Sequence, residues 1–156
     1  MATAYPTSLT TTTWTGTADA LTDASDSTYL ESPAAPTSSD TFLAYLWPVG
    51  DPGVDTDHAL VFRAINTDTL TPLDLVLTVE NVDDGSVVMS GVYSQVVGAY
   101  AINSIAISTI QAALIHSYSG LRVRGYARAT PYTYFVWEDV PTADSYTLEV
   151  WDWDAE

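Results

Sequence analysis

The sequence contains neither cysteine nor lysine. Without thiols there are no disulfide staples, thiol nucleophiles, redox pairs or cysteine zinc sites. Stability must rest on packing, hydrogen bonding or assembly. Without lysines the cations reduce to Arg63, Arg122, Arg124 and Arg128, which face 20 acids for a formal charge of −16. Nucleic-acid binding needs clustered cations to displace counterions, and anionic membrane surfaces attract basic segments; both partner classes are excluded. No apolar run approaches the roughly 20 residues of a spanning helix. The opening MATAYPTSLTTTTW lacks the basic start and apolar core of a secretion signal.

Histidine is scarce too: His58 and His116 are the only ones, so any Ser-His-Asp arrangement would have to use one of them. Neither lies near a nucleophile elbow, and no Walker loop, dinucleotide fingerprint or H-E-x-x-H motif occurs. Carboxylates are too plentiful for spacing alone to pick out a glycosidase pair. The expectation is a non-enzymatic protein.

What is present is apolar and aromatic: 47% hydrophobic residues, with 5 Trp, 10 Tyr and 3 Phe. That content is far above what an acidic disordered chain carries. A chain of 156 residues suits one domain burying about two-thirds of its unfolded surface. Residues 1–40 differ from the rest, being rich in Thr, Ser, Ala and Pro. They read as an extended arm, anchored by Trp14, Tyr29 and Leu30, that lies along its own body or a neighbour. Residues 41–156 read as a single β-sandwich domain without internal repeats.

The pattern in that domain is one of short strands. Thr41–Trp47 and Leu60–Asn66 are apolar runs around a turn-rich segment. Leu73–Glu80 alternates, with Leu73, Leu75, Leu77 and Val79 on one face and Asp74, Thr78 and Glu80 on the other, as in a half-buried strand. Asp83-Asp84-Gly85 supplies a hairpin turn into Ser86–Val92. The run 99–108 reads as a strand. Ser108-x-x-Gln111 is a capping box opening a short helix at about 109–116, whose C-terminal end favours a cation at His116. In Leu121–Ala129, Arg122, Arg124, Tyr126 and Arg128 share one face and Leu121, Val123 and Ala127 the other. Strands at 132–140 and 146–153 follow. The fold class expected is all-β, a jelly-roll-like sandwich with one short helix and an extended N-terminal arm.

Candidate sites follow from the same residues. Asp51, Asp55 and Asp57 gather hard oxygen ligands in one loop, where Ca²⁺ is the cation to consider, although Asp in Gly/Pro loops also serves turns. No other cofactor is expected. Trp151 and Trp153 are two apart, hence on one strand face, as a sugar-stacking surface requires; core or subunit contacts use aromatics as well. Arg122, Arg124 and Arg128 project from one strand face, either to pair with acids of the same chain or to meet the acidic surface of another subunit. Trp14, Tyr29 and Trp47 are the expected arm and contact anchors.

The stretch Asp23-Ala-Ser-Asp-Ser-Thr-Tyr29 and the later Tyr118-Ser-Gly-Leu-Arg-Val-Arg124 resemble a pattern in structural proteins of tailed bacteriophages. There, a segment like the first opens a β-sandwich, and a strand like the second follows a short helix late in the domain. The resemblance implies a virion component, either a capsid decoration protein or a tail or neck subunit. It would be a homo-oligomer located in the virion, with other virion proteins as partners. The alternative is a carbohydrate-binding β-sandwich for host-surface attachment, and a hydrolase domain is the third reading.

Overall fold

A computed structural model describes residues 3–22, 29–67, 72–94 and 101–129. They form β1 (Pro6–Thr11), β2 (Thr41–Leu46), β3 (His58–Ala64), β4 (Leu73–Asn81), β5 (Val87–Ser94), β6 (Ala101–Ile107), α1 (Thr109–Ala112) and β7 (Leu121–Ala129), with one 3₁₀ turn at Asp19–Leu21. The strands expected at 132–140 and 146–153 lie outside the described residues.

The fold is all-β. One sheet has the order β1-β2-β7-β4-β5 and the other pairs β3 with β6; all pairings are antiparallel. A jelly roll divides eight strands over two sheets, whereas the described residues place five strands in one sheet and two in the other. The apolar face of the larger sheet carries Phe42, Ala44, Leu77, Val79, Leu121 and Val123, and Leu60, Phe62, Ile105 and Ile107 of the smaller sheet pack against it. Alternation explains this face: each of these residues is two positions from the next on its strand, so all point into one layer.

Two local features shape this layer. At Gly125 a Cβ would overlap the Phe42 ring and crowd Leu77, so glycine there is what lets the ring lie flat on its neighbouring strand. Between Val79 and Glu80 the β4–β5 register shifts. That bulge leaves Val88 and Met89 both buried and re-aims the strand entering the hairpin.

The N-terminal segment lies along its own body. β1 pairs with β2 as an edge strand, a position that tolerates the missing N–H of Pro6. Trp14 meets the Phe42 ring edge-on at 5.0 Å and donates its indole N–H to the Asp40 carbonyl at 2.7 Å. The Asp40 carboxylate accepts from the hydroxyls of Thr13 at 2.6 Å and Thr37 at 2.7 Å. Trp14 therefore anchors the arm to its own core.

Three expectations change. The strand read at Leu60–Asn66 begins earlier, at His58, and ends at Ala64. The capping box forms as expected, but the helix stops at Ala112 rather than 116. The cause is Asn81, only 1% exposed, whose amide donates to the Leu114 carbonyl at 2.9 Å and whose oxygen accepts from the His116 backbone N–H at 3.0 Å. Those groups are captured by a neighbouring hairpin and drawn out of helical geometry. Finally, β4 is buried on both faces: Asp74, Thr78 and Glu80 are all buried, because β4 lies inside the sheet between β7 and β5.

Candidate binding surfaces

The arginine face of β7 is the first of the expected sites. Register sets Arg122 opposite Glu80, Arg124 opposite Thr78 and Arg128 opposite Asp74, so cations and acids meet across one strand pair. The Arg122 Nε–H donates to Glu80 at 2.9 Å. The Arg124 Nε lies 2.6 Å from the other Glu80 oxygen but without the angle of a hydrogen bond, so that contact is coulombic. Arg128 stands 3.9 Å from Asp74. Burial would lower the Arg122 pKa, but its bonds to Glu80 and Tyr45 outweigh that and hold it above the ordinary value. Pairing within the chain is thus the arrangement found, while the side chains of Arg124 and Arg128 remain 42% and 44% exposed.

The acidic loop comes next. Asp51 accepts from the Gly53 N–H at 2.7 Å, Asp57 adopts a positive φ of 63°, and Asp51, Asp55 and Asp57 are exposed. Asp51 and Asp57 serve the turn, and the three carboxylates do not converge as a ligand trio. Beside them, the His58 Nδ1 is 2.8 Å from the Thr56 carbonyl. A carbonyl only accepts, so Nδ1 carries the proton. The His58 Nε2 is hydrogen-bonded to the Tyr118 hydroxyl at 2.7 Å. Burial first, and then the charges of Asp55 and Asp51, raise the Tyr118 pKa.

His116 was expected at a helix end. Its ring instead meets Asp83 of the β4–β5 hairpin, with Nδ1 3.0 Å from the nearer oxygen. That hydrogen bond, more than the charges of Asp83 and Asp84, raises its pKa against a smaller opposing effect of burial. Among the described residues, Asp83, Asp84 and His116 bring their ligand atoms within 4.8 Å of one another. The sequence signal, a histidine pairing with an Asp-Asp turn 33 residues away, spans too long a separation to be read as a motif.

The remaining surface is aromatic. Trp47 is 61% and Tyr5 55% exposed, and the Trp47 N–H donates to the Tyr5 carbonyl at 2.7 Å, so the two rings are carried on adjacent ends of β2 and β1. With Thr3, Pro6, Thr7 and Thr22 they line an open groove of about 400 Å³, and none of these described lining residues is charged. Trp47 was anticipated as a contact residue; Tyr5 was missed, since only the β1–β2 pairing brings it to Trp47. Tyr29 is also exposed, next to the Thr15–Glu31 bridge that ties the arm to itself. Trp151 and Trp153 lie outside the described residues, as do Asp23 to Thr28 of the first resemblance motif.

These surfaces define a β-sheet protein with an aromatic groove, uncharged among its described residues, on an otherwise acidic molecule. No protein-family model, curated protein or solved structure matches the chain.

Proposed function

We propose that the chain is a non-enzymatic structural component of a tailed-virus particle, which binds and stabilises a capsid or tail assembly in many copies. The observation that carries the reading is the Tyr5–Trp47 groove. Large aromatic rings are enriched at protein interfaces and dominate their energetics, and here two stand mostly in water on one groove. The N-terminal strand that forms one wall is, among the described residues, a sheet edge of the kind partners extend by strand addition. The resemblance at Asp23–Tyr29 and Tyr118–Arg124 supplies the virion context. The charge of −16 keeps free copies soluble until they dock. Arg124 and Arg128, part exposed beside their own acids, are two cations in reach of a neighbour's acidic surface.

One observation favours a second reading. The groove joins the hydroxyls of Thr3, Thr7 and Thr22 to the two rings, a combination that suits a sugar, whose apolar face stacks while its hydroxyls bond. Under that reading the protein attaches to host glycans. Sedimentation over a concentration series, with a glycan array alongside, separates the two. Self-assembly lost in Trp47→Ala at unchanged melting temperature supports the structural role. Glycan binding lost in that variant, with no self-assembly, moves the protein to attachment. Assembly that is indifferent to Trp47→Ala and Tyr5→Ala removes the groove from the proposal.

A further inference from the structure

We propose that Asp83, Asp84 and His116 form a site for a divalent transition-metal ion at the tip of the β4–β5 hairpin. The three side chains come from two segments far apart in sequence, and their ligand atoms fall within 4.8 Å of one another. Tetrahedral bonds of about 2.0–2.2 Å set ligands about 3.4 Å apart, so small carboxylate rotations close the set on one ion.

The approach of the histidine is built rather than incidental. Asn81 is buried at the base of the hairpin, and its side chain holds the backbone on both sides of Ile115, through Leu114 and His116. Its own backbone closes the turn that carries the two aspartates, donating to Ser86 at 2.9 Å and accepting from Gly85 at 3.0 Å. Asp84 is fixed by accepting from the Ser86 N–H at 2.8 Å. One buried amide thus sets the imidazole and both carboxylates in register.

The contact between His116 and Asp83 places the imidazole nitrogen where a metal would sit between the two groups. Nδ1 stands 3.0 Å and 3.3 Å from the two Asp83 oxygens. The neutral ring fills that gap with its Nδ1–H, which donates to Asp83; a metal ion would take the place of that proton, with Nδ1 and the carboxylate as its ligands. Imidazole with two carboxylates is a nitrogen and oxygen set suited to Zn²⁺, Co²⁺ or Mn²⁺ rather than to Ca²⁺, which takes oxygen alone. Three protein ligands leave a coordination position for water or for a donor from a neighbouring molecule.

Titration calorimetry of the full chain with Zn²⁺ alone, repeated with Ca²⁺, tests the proposal. One Zn²⁺ per chain is expected, weakened at least tenfold in His116→Ala and in Asp83→Asn, with no comparable saturable Ca²⁺ site. Co²⁺ should give a visible absorption band that disappears in His116→Ala. Equal Zn²⁺ binding by the wild type and His116→Ala would show diffuse association with the acidic surface and overturn the proposal. So would the absence of saturable Zn²⁺ binding up to millimolar metal.

Discussion

Arg122 offers the sharpest test of how this sheet is held. Glu80 has a side chain only 4% exposed, and Arg122 supplies its one well-aligned guanidinium hydrogen bond on the strand pair, since Arg124 approaches without that alignment. Replacing Arg122 by Met keeps most of the apolar stem and removes the charge. Breaking a buried pair from one side costs about 3–5 kcal/mol. Arg122 is itself 21% exposed and Arg124 stays close to Glu80, so the lower end applies, about 3 kcal/mol. In a domain of this size each kcal/mol moves the melting temperature by about 2–4 °C, giving a fall of about 6–12 °C. Arg122→Met with Glu80→Met should recover most of that loss, because the carboxylate is then no longer stranded and Arg124 keeps access to water. Urea unfolding of both single variants and the double yields the coupling, expected at about 2 kcal/mol. The loss should persist in 1 M salt, because buried pairs are screened little. Additive single effects, or Arg122→Met within about 0.5 kcal/mol of wild type, would refute the reasoning.

Gly125→Ala drives a methyl into the Phe42 ring and Leu77. Overpacking of this kind costs about 1–3 kcal/mol, and Phe42→Leu should relieve part of it, as thermal unfolding of the double variant would show. The Asp40 carboxyl is held below its ordinary value of 3.8, first by the Thr13 hydroxyl, then by the Thr37 hydroxyl and backbone N–H. Because the folded pKa lies below the unfolded one, its contribution is complete above the unfolded value and fades as pH falls through the folded one. Exchange of the Trp14 indole proton, followed by NMR, should therefore speed up on acidification toward pH 3 in the wild type. In Asp40→Asn it should be faster at neutral pH and lose that dependence.

Local chemistry was legible in the sequence and long-range pairing was not. The Asp83-Asp84-Gly85 turn, with Gly85 at φ 74°, and the Ser108–Gln111 capping box depend on neighbours a few residues away. The limits of β7 and its two faces matched because strict alternation writes both sides of a strand into its own residues. Position within the sheet is a different matter. The polar residues of β4 looked like a solvent face, and only the pairing with β7 about 40 residues later turns Asp74 and Glu80 into buried partners of the arginines. The end of α1 and the placement of His116 likewise depended on Asn81, more than 30 residues upstream. Tyr5 reached Trp47 by the same kind of pairing.

That pairing also changes how the charge acts. With Arg122 and Arg124 on Glu80 and Arg128 facing Asp74, most of the scarce positive charge is already balanced within the chain. Copies therefore meet as acidic bodies, and their repulsion extends over a screening length of about 8 Å at physiological salt. Contact is least opposed where a surface carries no charge and most favoured where it carries apolar rings. The described residues of the Tyr5–Trp47 groove meet both conditions. Raising the salt should then strengthen self-association, since it screens the repulsion while leaving aromatic burial intact; contacts built on the arginine face would weaken instead.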